Sequence, residues 1–276
     1  MVSDDFETMR VTAQDGVVRA AIDHPPINLL DLPLMLELDR LGREVEDDGD
    51  ARVLVLSSAN EDFFVAHADV NLLLGLPREE REEPNDTLGF FHAMVDRFRT
   101  MPKATLAVIE GRVRGGGSEL VSSMDMRFAD LDRAVFAQPE VALGIIPGGS
   151  GTQRLPTLLG RARALEVILG CNDVDAATAE RWGWVNRALP SAVLHTYVDD
   201  IAARIASFPA HAIATAKASV AHALVDPVPG LCAEEWRFSQ TLLEPETIRR
   251  MERFLEIGGQ TREVELDLTA LYNKLS

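Results

Sequence analysis

Two carboxylates and a glycine loop carry the chemistry this chain could offer. Gly115, Gly116 and Gly117 run directly into Ser118 and Glu119, Gln138-Pro139-Glu140 follows, and the turn-rich run Ile146-Pro147-Gly148-Gly149-Ser150-Gly151-Thr152 closes the segment. Glycines in such a loop allow positive φ and close approach to a ligand, and the first N–H groups of a helix opened there lack internal partners. Those N–H groups sit at the positive end of the helix dipole and favour an oxygen that gains negative charge. Glu119, in the first turn, is expected to be stabilised as an anion, which suits a general base. Glu140 leaves a strand end turned by Pro139 and precedes the mostly apolar residues 141–146, where partial burial would raise its pKa and suit an acid. Each signal alone is also what an ordinary helix start or loop provides, so the chemistry depends on the two glutamates meeting in space.

The elements that must position these residues alternate between strand and helix. Residues 105–109, apolar and β-branched, predict a buried strand that feeds the glycine loop, with Ser118 as N-cap of a helix over 119–124. Residues 135–137 predict the strand that ends at Gln138. Upstream, strands at Val17–Ile22 and 53–57 flank a helix at Leu32–Asp47, where Leu34, Leu38, Leu41 and Val45 recur at helical spacing. This alternation predicts an α/β fold rather than a sandwich. Residues 75–85, with Pro77, Pro84 and a run of Arg and Glu, read as a solvated loop or short exposed helix. Helices are expected at 88–99 (Phe90, Phe91, Met94 and Phe98 assigned to the core), 161–169, Ala176–Trp182 and 198–225. A break is expected at Gly230, then helices over 232–255 interrupted at Pro245.

At the chemical residues the chain resembles a known family. Gly-Arg-Val-Arg-Gly-Gly-Gly-Ser-Glu-Leu at 111–120, with Asp125 after it, and Phe-Ala-Gln-Pro-Glu-Val-Ala-Leu-Gly-Ile-Ile-Pro-Gly-Gly-Ser-Gly-Thr-Gln-Arg-Leu at 136–155 resemble the core signature of the crotonase superfamily, specifically of enoyl-CoA hydratases. His24-Pro25-Pro26-Ile27-Asn28-Leu29-Leu30 resembles the family's early CoA-side loop, and residues 63–70 resemble its first oxyanion-loop motif. The resemblance runs from about residue 10 to about residue 190 and holds only in outline beyond. It implies a crotonase-like (ClpP/crotonase) spiral of repeated ββα units over residues 1–197, and a C-terminal helical subdomain over 198–276 that covers the active site and builds a trimer or a dimer of trimers. It further implies that the backbone N–H groups of Ala68 and Gly116 hold a thioester oxygen, and that Glu119 and Glu140 hold a water. In that scheme Glu119 is the base and Glu140 delivers a proton to C2. Substrate or CoA contacts fall to His24, Asn28, Leu29, Ala66, His67, Asp69, Val70 and Gly115. No cofactor is implied beyond the coenzyme A that the substrate carries, and no metal.

Two departures stand against the family pattern. Where the family usually has Ala-Gly-Ala-Asp, this chain has Ala66-His67-Ala68-Asp69. Either the loop uses ordinary backbone angles and His67 points away from the thioester, or the imidazole enters the site or alters chain-length preference. The usual basic C-terminal segment is replaced by the acidic residues 262–267, followed by Leu268, Leu271 and Leu275, which with Leu266 are expected to pack on a neighbouring subunit.

Composition bounds the remaining classes. The chain has 276 residues, 46% of them hydrophobic, enough for one sizeable domain and an appended subdomain. Its net charge of −17 argues against nucleic acid or an anionic membrane as partner. With only Lys103, Lys217 and Lys274 as lysines, phosphate contacts fall to arginines, backbone N–H groups or His24. The six histidines lack metal-ligand spacing, Cys171 and Cys232 form no C-x-x-C pair, and neither a dinucleotide fingerprint nor a P-loop occurs. Gly148 to Thr152 lacks the final glycine of a nucleophile elbow. The N-terminus does not resemble a signal peptide and no apolar run is long enough to span a membrane, so a cytoplasmic location is expected. The reading that the resemblance implies is an enzyme that hydrates a trans-2-enoyl-CoA to a 3-hydroxyacyl-CoA, with enoyl-CoA isomerisation or another crotonase-type enolate reaction as the alternative chemistry and a non-catalytic acyl-CoA-binding or assembly protein as the alternative class.

Overall fold

The computed structural model describes residues 2–275 except Asp4 and Asn273. The antiparallel hairpin β1 (Met9–Gln14) and β2 (Val17–Ile22) leads to α1 (Leu32–Asp47), β3 (Val53–Ser58), β4 (Phe63–Val65), α2 (Val70–Leu74) and α3 (Phe90–Thr100). Then come β5 (Ala104–Ile109), β6 (Arg112–Arg114), α4 (Gly116–Ser123), β7 (Met126–Asp130), β8 (Val135–Ala137), a 3-10 turn (Glu140–Leu143) and α5 (Gly151–Leu159). After α6 (Arg161–Gly170), β9 (Val174–Asp175), α7 (Ala176–Trp182) and β10 (Arg187–Leu189), the chain is helical: α8 (Ser191–Ala206), α9 (Ala210–Ala221), α10 (Val228–Thr241), α11 (Pro245–Glu256), α12 (Arg262–Glu265) and α13 (Leu268–Tyr272).

Successive strand pairs split between two sheets. β3, β5 and β7 enter a six-stranded sheet of order β1-β2-β3-β5-β7-β10, while β4, β6 and β8 enter a smaller one of order β4-β6-β8-β9. From β2 to β10 the large sheet is parallel, as are β4, β6 and β8. Both faces of the large sheet are covered, which is why β3 and β5 read as continuous apolar runs. Alternation along each strand divides the core: Val18, Leu54 and Leu56 face α1 and α3, while Val17, Val53 and Val55 face α8. α1 starts where Asp31 accepts the Leu34 N–H at 3.0 Å and buries Leu34, Leu38, Leu41 and Val45, the stripe the spacing predicts. Residues 197 and 198, the expected division, lie inside the continuous helix α8, whose Leu194, Val198 and Ala202 rest on the large sheet on either side of that point.

Three other expectations change in the helical region. The segment 198–225 is two helices, separated at Phe208-Pro209 because proline cannot continue the i→i−4 ladder. Gly230 does not break a helix but lies in the first turn of α10. Leu268, Leu271 and Leu275 do not face a neighbour; they are buried in this chain against Val70, Leu143, Ile145 and Phe254, and Leu266 packs on Ile27, Phe63 and Ala66. Burial of a leucine contributes roughly 1.5–3 kcal/mol, so the acidic tail is firmly docked on its own subunit. Among the described residues no helix is long and apolar enough to cross a membrane.

Candidate active site

The small sheet assembles the site. β4, β6 and β8 are neighbouring parallel strands, so the chain leaving their C-terminal ends delivers Ala66–Asp69, Gly115–Gly116 and Gln138–Glu140 to one edge. Gly115, at φ 50, makes the turn from β6 into α4, and its N–H is held by the Ala137 carbonyl at 3.1 Å. A Cβ there would lie 3.0 Å from Glu140 Oε1 and 3.3 Å from His67 Cβ. The helix starts at Gly116 with Gly115 as its N-cap, so Ser118 is an interior residue and not the cap its position suggested.

The two N–H groups singled out in the sequence lie close together. The Leu30 N–H bonds to the His67 carbonyl (2.9 Å) and the Asp69 N–H to the Leu30 carbonyl (3.0 Å), so the alternation of an extended chain turns the Ala68 N–H to the opposite side. Among the described residues neither the Ala68 nor the Gly116 N–H donates to a protein acceptor. A Cβ on Gly116 would fall 3.8 Å from Ala68 Cβ and 3.3 Å from the Phe91 ring. Phe91 packs on the core as expected from sequence and also stands beside the site, whereas Phe90 is exposed.

Glu119 is buried in the first turn of α4, but its own helix does not hold it. Oε1 accepts the N–H groups of Gly149 (2.8 Å) and Gly151 (2.7 Å), which flank Ser150 at φ 115. A non-glycine residue in that region costs about 1–3 kcal/mol, and here the strained turn aims two donors at one carboxylate. The next N–H, that of Thr152, goes to a second buried carboxylate, Glu234 Oε1, at 3.0 Å. The expectation of a dipole-stabilised anion is overturned. Desolvation, and after it the charge of Glu234, push the Glu119 pKa up to about 7 against the pull of the two N–H bonds. Glu234 reaches in from α10 and faces His92 Nε2 at 3.7 Å. Neither residue lies in a motif, and no local signal in the sequence identifies them.

Glu140, at the start of the 3-10 turn, has its pKa raised well above the ordinary value by burial and then by the charge of Glu119. The Gln138 side-chain nitrogen, turned toward it, reaches both carboxylate oxygens at 3.0 Å. A Cβ on Gly151 would lie 2.9 Å from the other atom of the Gln138 amide, which is the oxygen in this orientation, and 3.0 Å from Glu119 Oε1, so Gln138 stands between the two glutamates. A small cavity of about 30 Å³ touches His67, Ala68 and Glu140 and is otherwise walled by Val70, Leu73, Leu143, Ile145, Phe254 and Tyr272, with Pro139 at its edge. Glu119 and Gly116 do not line this cavity. A larger recess between the β1–β2 hairpin and residues 48–51 lies away from both carboxylates.

The remaining expected contact residues divide sharply. Asn28, at φ 50, is fully buried and donates to Ser58 Oγ (2.8 Å), Phe63 O (3.2 Å) and Phe64 O (3.1 Å), so its amide ties the loop to β4. His24 pairs with Asp31 at 2.8 Å. Leu29 packs beside Ile27, Phe63 and Ala66, and Val70 is buried with α11. Asp69 caps α2 and accepts the Gln260 side chain at 2.9 Å. His67 has ordinary backbone angles and is buried, with Nδ1 2.8 Å from the Ala68 carbonyl and Nε2 3.0 Å from Glu265 of the tail. Desolvation acts to lower its pKa, but the Glu265 carboxylate outweighs it and the net direction is up. Among the described residues no three His, Cys, Asp or Glu side chains are grouped to hold a metal ion.

A model of the enoyl-CoA hydratase/isomerase family matches residues 12–260. A probable enoyl-CoA hydratase of Mycobacterium bovis is 31% identical over 253 residues, spanning 91% of this chain and 96% of its own. Crotonyl-CoA hydratase of Syntrophomonas wolfei is 32% identical over 216 residues, spanning 78% and 81%. A crystal structure from Streptomyces avermitilis that carries an enoyl-CoA hydratase designation superposes with a TM-score of 0.90 at 38% identity over 98% of each chain. The chain has the crotonase fold and belongs to the enoyl-CoA hydratase/isomerase family.

Proposed function

We propose that this protein hydrates a trans-2-enoyl-CoA to the 3-hydroxyacyl-CoA, and the observation that carries the reading is the pair of buried carboxylates, Glu119 and Glu140, beside two backbone N–H groups that no protein acceptor takes among the described residues. The thioester oxygen would accept from Ala68 and Gly116, so that as water adds to C3 the charge moving onto that oxygen meets preorganised donors. Glu119, with its pKa about 7, is ionised in substantial part at neutral pH and takes the water proton. Glu140, raised well above the ordinary value, keeps its proton and delivers it to C2 as the enolate collapses. No cofactor is needed beyond the CoA of the substrate, because both protons and both oxygen donors come from the protein and the attacking water. We place the enzyme in the cytoplasm as a homotrimer or dimer of trimers.

Assay of the purified protein with trans-2-butenoyl-CoA and with a 3-enoyl-CoA, in wild type, Glu119→Gln and Glu140→Gln, tests this reading. Hydration that collapses in both variants supports it. Double-bond migration that depends on only one glutamate would make isomerisation the activity, and binding without turnover of either substrate would leave an acyl-CoA-binding protein.

A further inference from the structure

The two departures from the family pattern touch each other. Glu265, in α12 of the acidic tail, is fully buried and takes His67 Nε2 at 3.0 Å and the Gln260 N–H at 2.9 Å on the same oxygen. The other His67 nitrogen faces the Ala68 carbonyl at 2.8 Å. Both ring nitrogens thus face oxygens, and the imidazolium is the form that donates to both at once. The same short segment grips both N–H-bearing stretches. On the β4 side Gln260 accepts from Asn71 (3.1 Å) and donates to Asp69 (2.9 Å), and Arg262 pairs with Asp62. On the β6 side the buried Arg114, two residues before Gly116, donates to the Glu265 carbonyl at 2.8 Å, and Arg112 donates to the Leu266 carbonyl at 3.0 Å. Arg114 is itself fixed by a two-pronged bond to Asp173, at 2.8 and 2.6 Å. One residue, Glu265, therefore holds the β4 loop by its side chain and the β6 strand by its backbone.

We propose that residues 260–266 form a strap that sets the relative position of the Ala68 and Gly116 N–H groups, with Glu265 and His67 as the positioning pair. The proposal rests on the reading that these two N–H groups bind the thioester oxygen. It gives the acidic tail a task in the oxyanion site of its own subunit in place of the phosphate contacts a basic tail would make. Neither side chain touches the reacting atoms. Two donors stabilise a developing oxyanion better than the ground-state carbonyl only while their spacing holds, so loosening the strap affects turnover more than binding.

The test uses full-length His67→Gln, Glu265→Gln, the double variant and Gln260→Ala. Turnover of trans-2-butenoyl-CoA is measured alongside the infrared carbonyl stretch of the bound thioester, which reads hydrogen bonding to that oxygen directly. The expected result is kcat lowered about ten-fold in each single variant of the pair with KM within about two-fold. The double variant should be no worse than the weaker single, and the carbonyl frequency should move back toward its solution value. Gln260→Ala, which leaves the buried pair in place, should shift both readouts in the same direction by less and serves if Glu265→Gln does not fold. Wild-type kcat and carbonyl frequency in His67→Gln and Gln260→Ala would overturn the strap. Glu119→Gln separates the two ideas: full turnover there would sink the hydratase reading, whereas loss of turnover with an unchanged carbonyl shift leaves the strap to be judged on its own variants.

Discussion

Glu119→Gln should make the protein more stable as it makes it inactive, and the gain should grow with pH. A glutamate that titrates near 4.5 in the unfolded chain is held at about 7 in the fold, first by burial and then by Glu234. The sign follows from proton linkage: the folded state binds this proton more tightly, so ionisation costs folding stability. The cost is absent below about pH 4.5, accumulates as pH rises, and is complete above about pH 7. At 1.36 kcal/mol per pKa unit the full cost is about 3 kcal/mol, of which about 2 to 3 kcal/mol accrues between pH 5 and pH 8. Glutamine keeps an oxygen that can accept the Gly149 and Gly151 N–H groups but carries no charge to desolvate. Removing that charge also eases the ionisation of Glu140, which it opposes, and this adds to the effect with the same sign. Denaturant unfolding of both proteins at pH 5 and pH 8 measures it, with the variant's advantage expected to widen by about 2 to 3 kcal/mol while hydration falls about 10² to 10⁴-fold. An advantage that stays constant or shrinks as pH rises would refute the reasoning, because Glu119 would then be no harder to ionise in the fold than in water.

The catalytic counterpart concerns the pH profile: if ionised Glu119 is the base, kcat/KM should fall about ten-fold per unit as pH drops below about 7, and a flat profile down to pH 5.5 would place the base elsewhere. Gly117→Ala would set a Cβ 2.6 Å from Val65 Cβ, inside the packing of α4 on β4, so unfolding should show a loss of about 1–3 kcal/mol; an unchanged midpoint would contradict the packing. Asn28→Ala removes the amide donor to the buried Phe64 carbonyl, leaves the Phe63 carbonyl with Ser58 Oγ alone at 2.7 Å, and should cost about 1–3 kcal/mol of stability with KM little changed. A raised KM in a stable Asn28→Ala protein would instead assign the amide to substrate.

Much of the fold was legible because its signals are local. The apolar runs of β3 and β5 and the four-three-four stripe of α1 depend only on neighbouring residues, and the glycine loop marks the one place where β6 must turn at positive φ between His67 and Glu140. In the helical region the signals are weaker because one residue type can serve two uses. Gly230 can end a helix or sit in its first turn, and it does the latter because Pro227 and Pro229 start the helix there. The tail leucines were recognisable as buried, but an apolar stripe does not say whether its partner is the same chain or another copy.

Within the site, residue types were legible and their electrostatics were not. Glu119 is where a first-turn carboxylate should be an anion, and a helix dipole contributes only about 0.3–1 kcal/mol at an exposed end. Full burial against a second carboxylate from α10 is a larger effect of opposite sign, and it depends on Glu234 lying 115 residues further along. The same holds for His67. Its departure from glycine was visible, as was the acidity of the tail, but each was a local oddity until the fold joined them across a separation of 198 residues. Joined, they account for each other. A buried carboxylate in the tail needs a cation, the loop before Ala68 supplies one at the cost of the usual glycine, and returning His67 alone to glycine would leave Glu265 buried with only the Gln260 N–H and the more distant Arg114 charge to offset it.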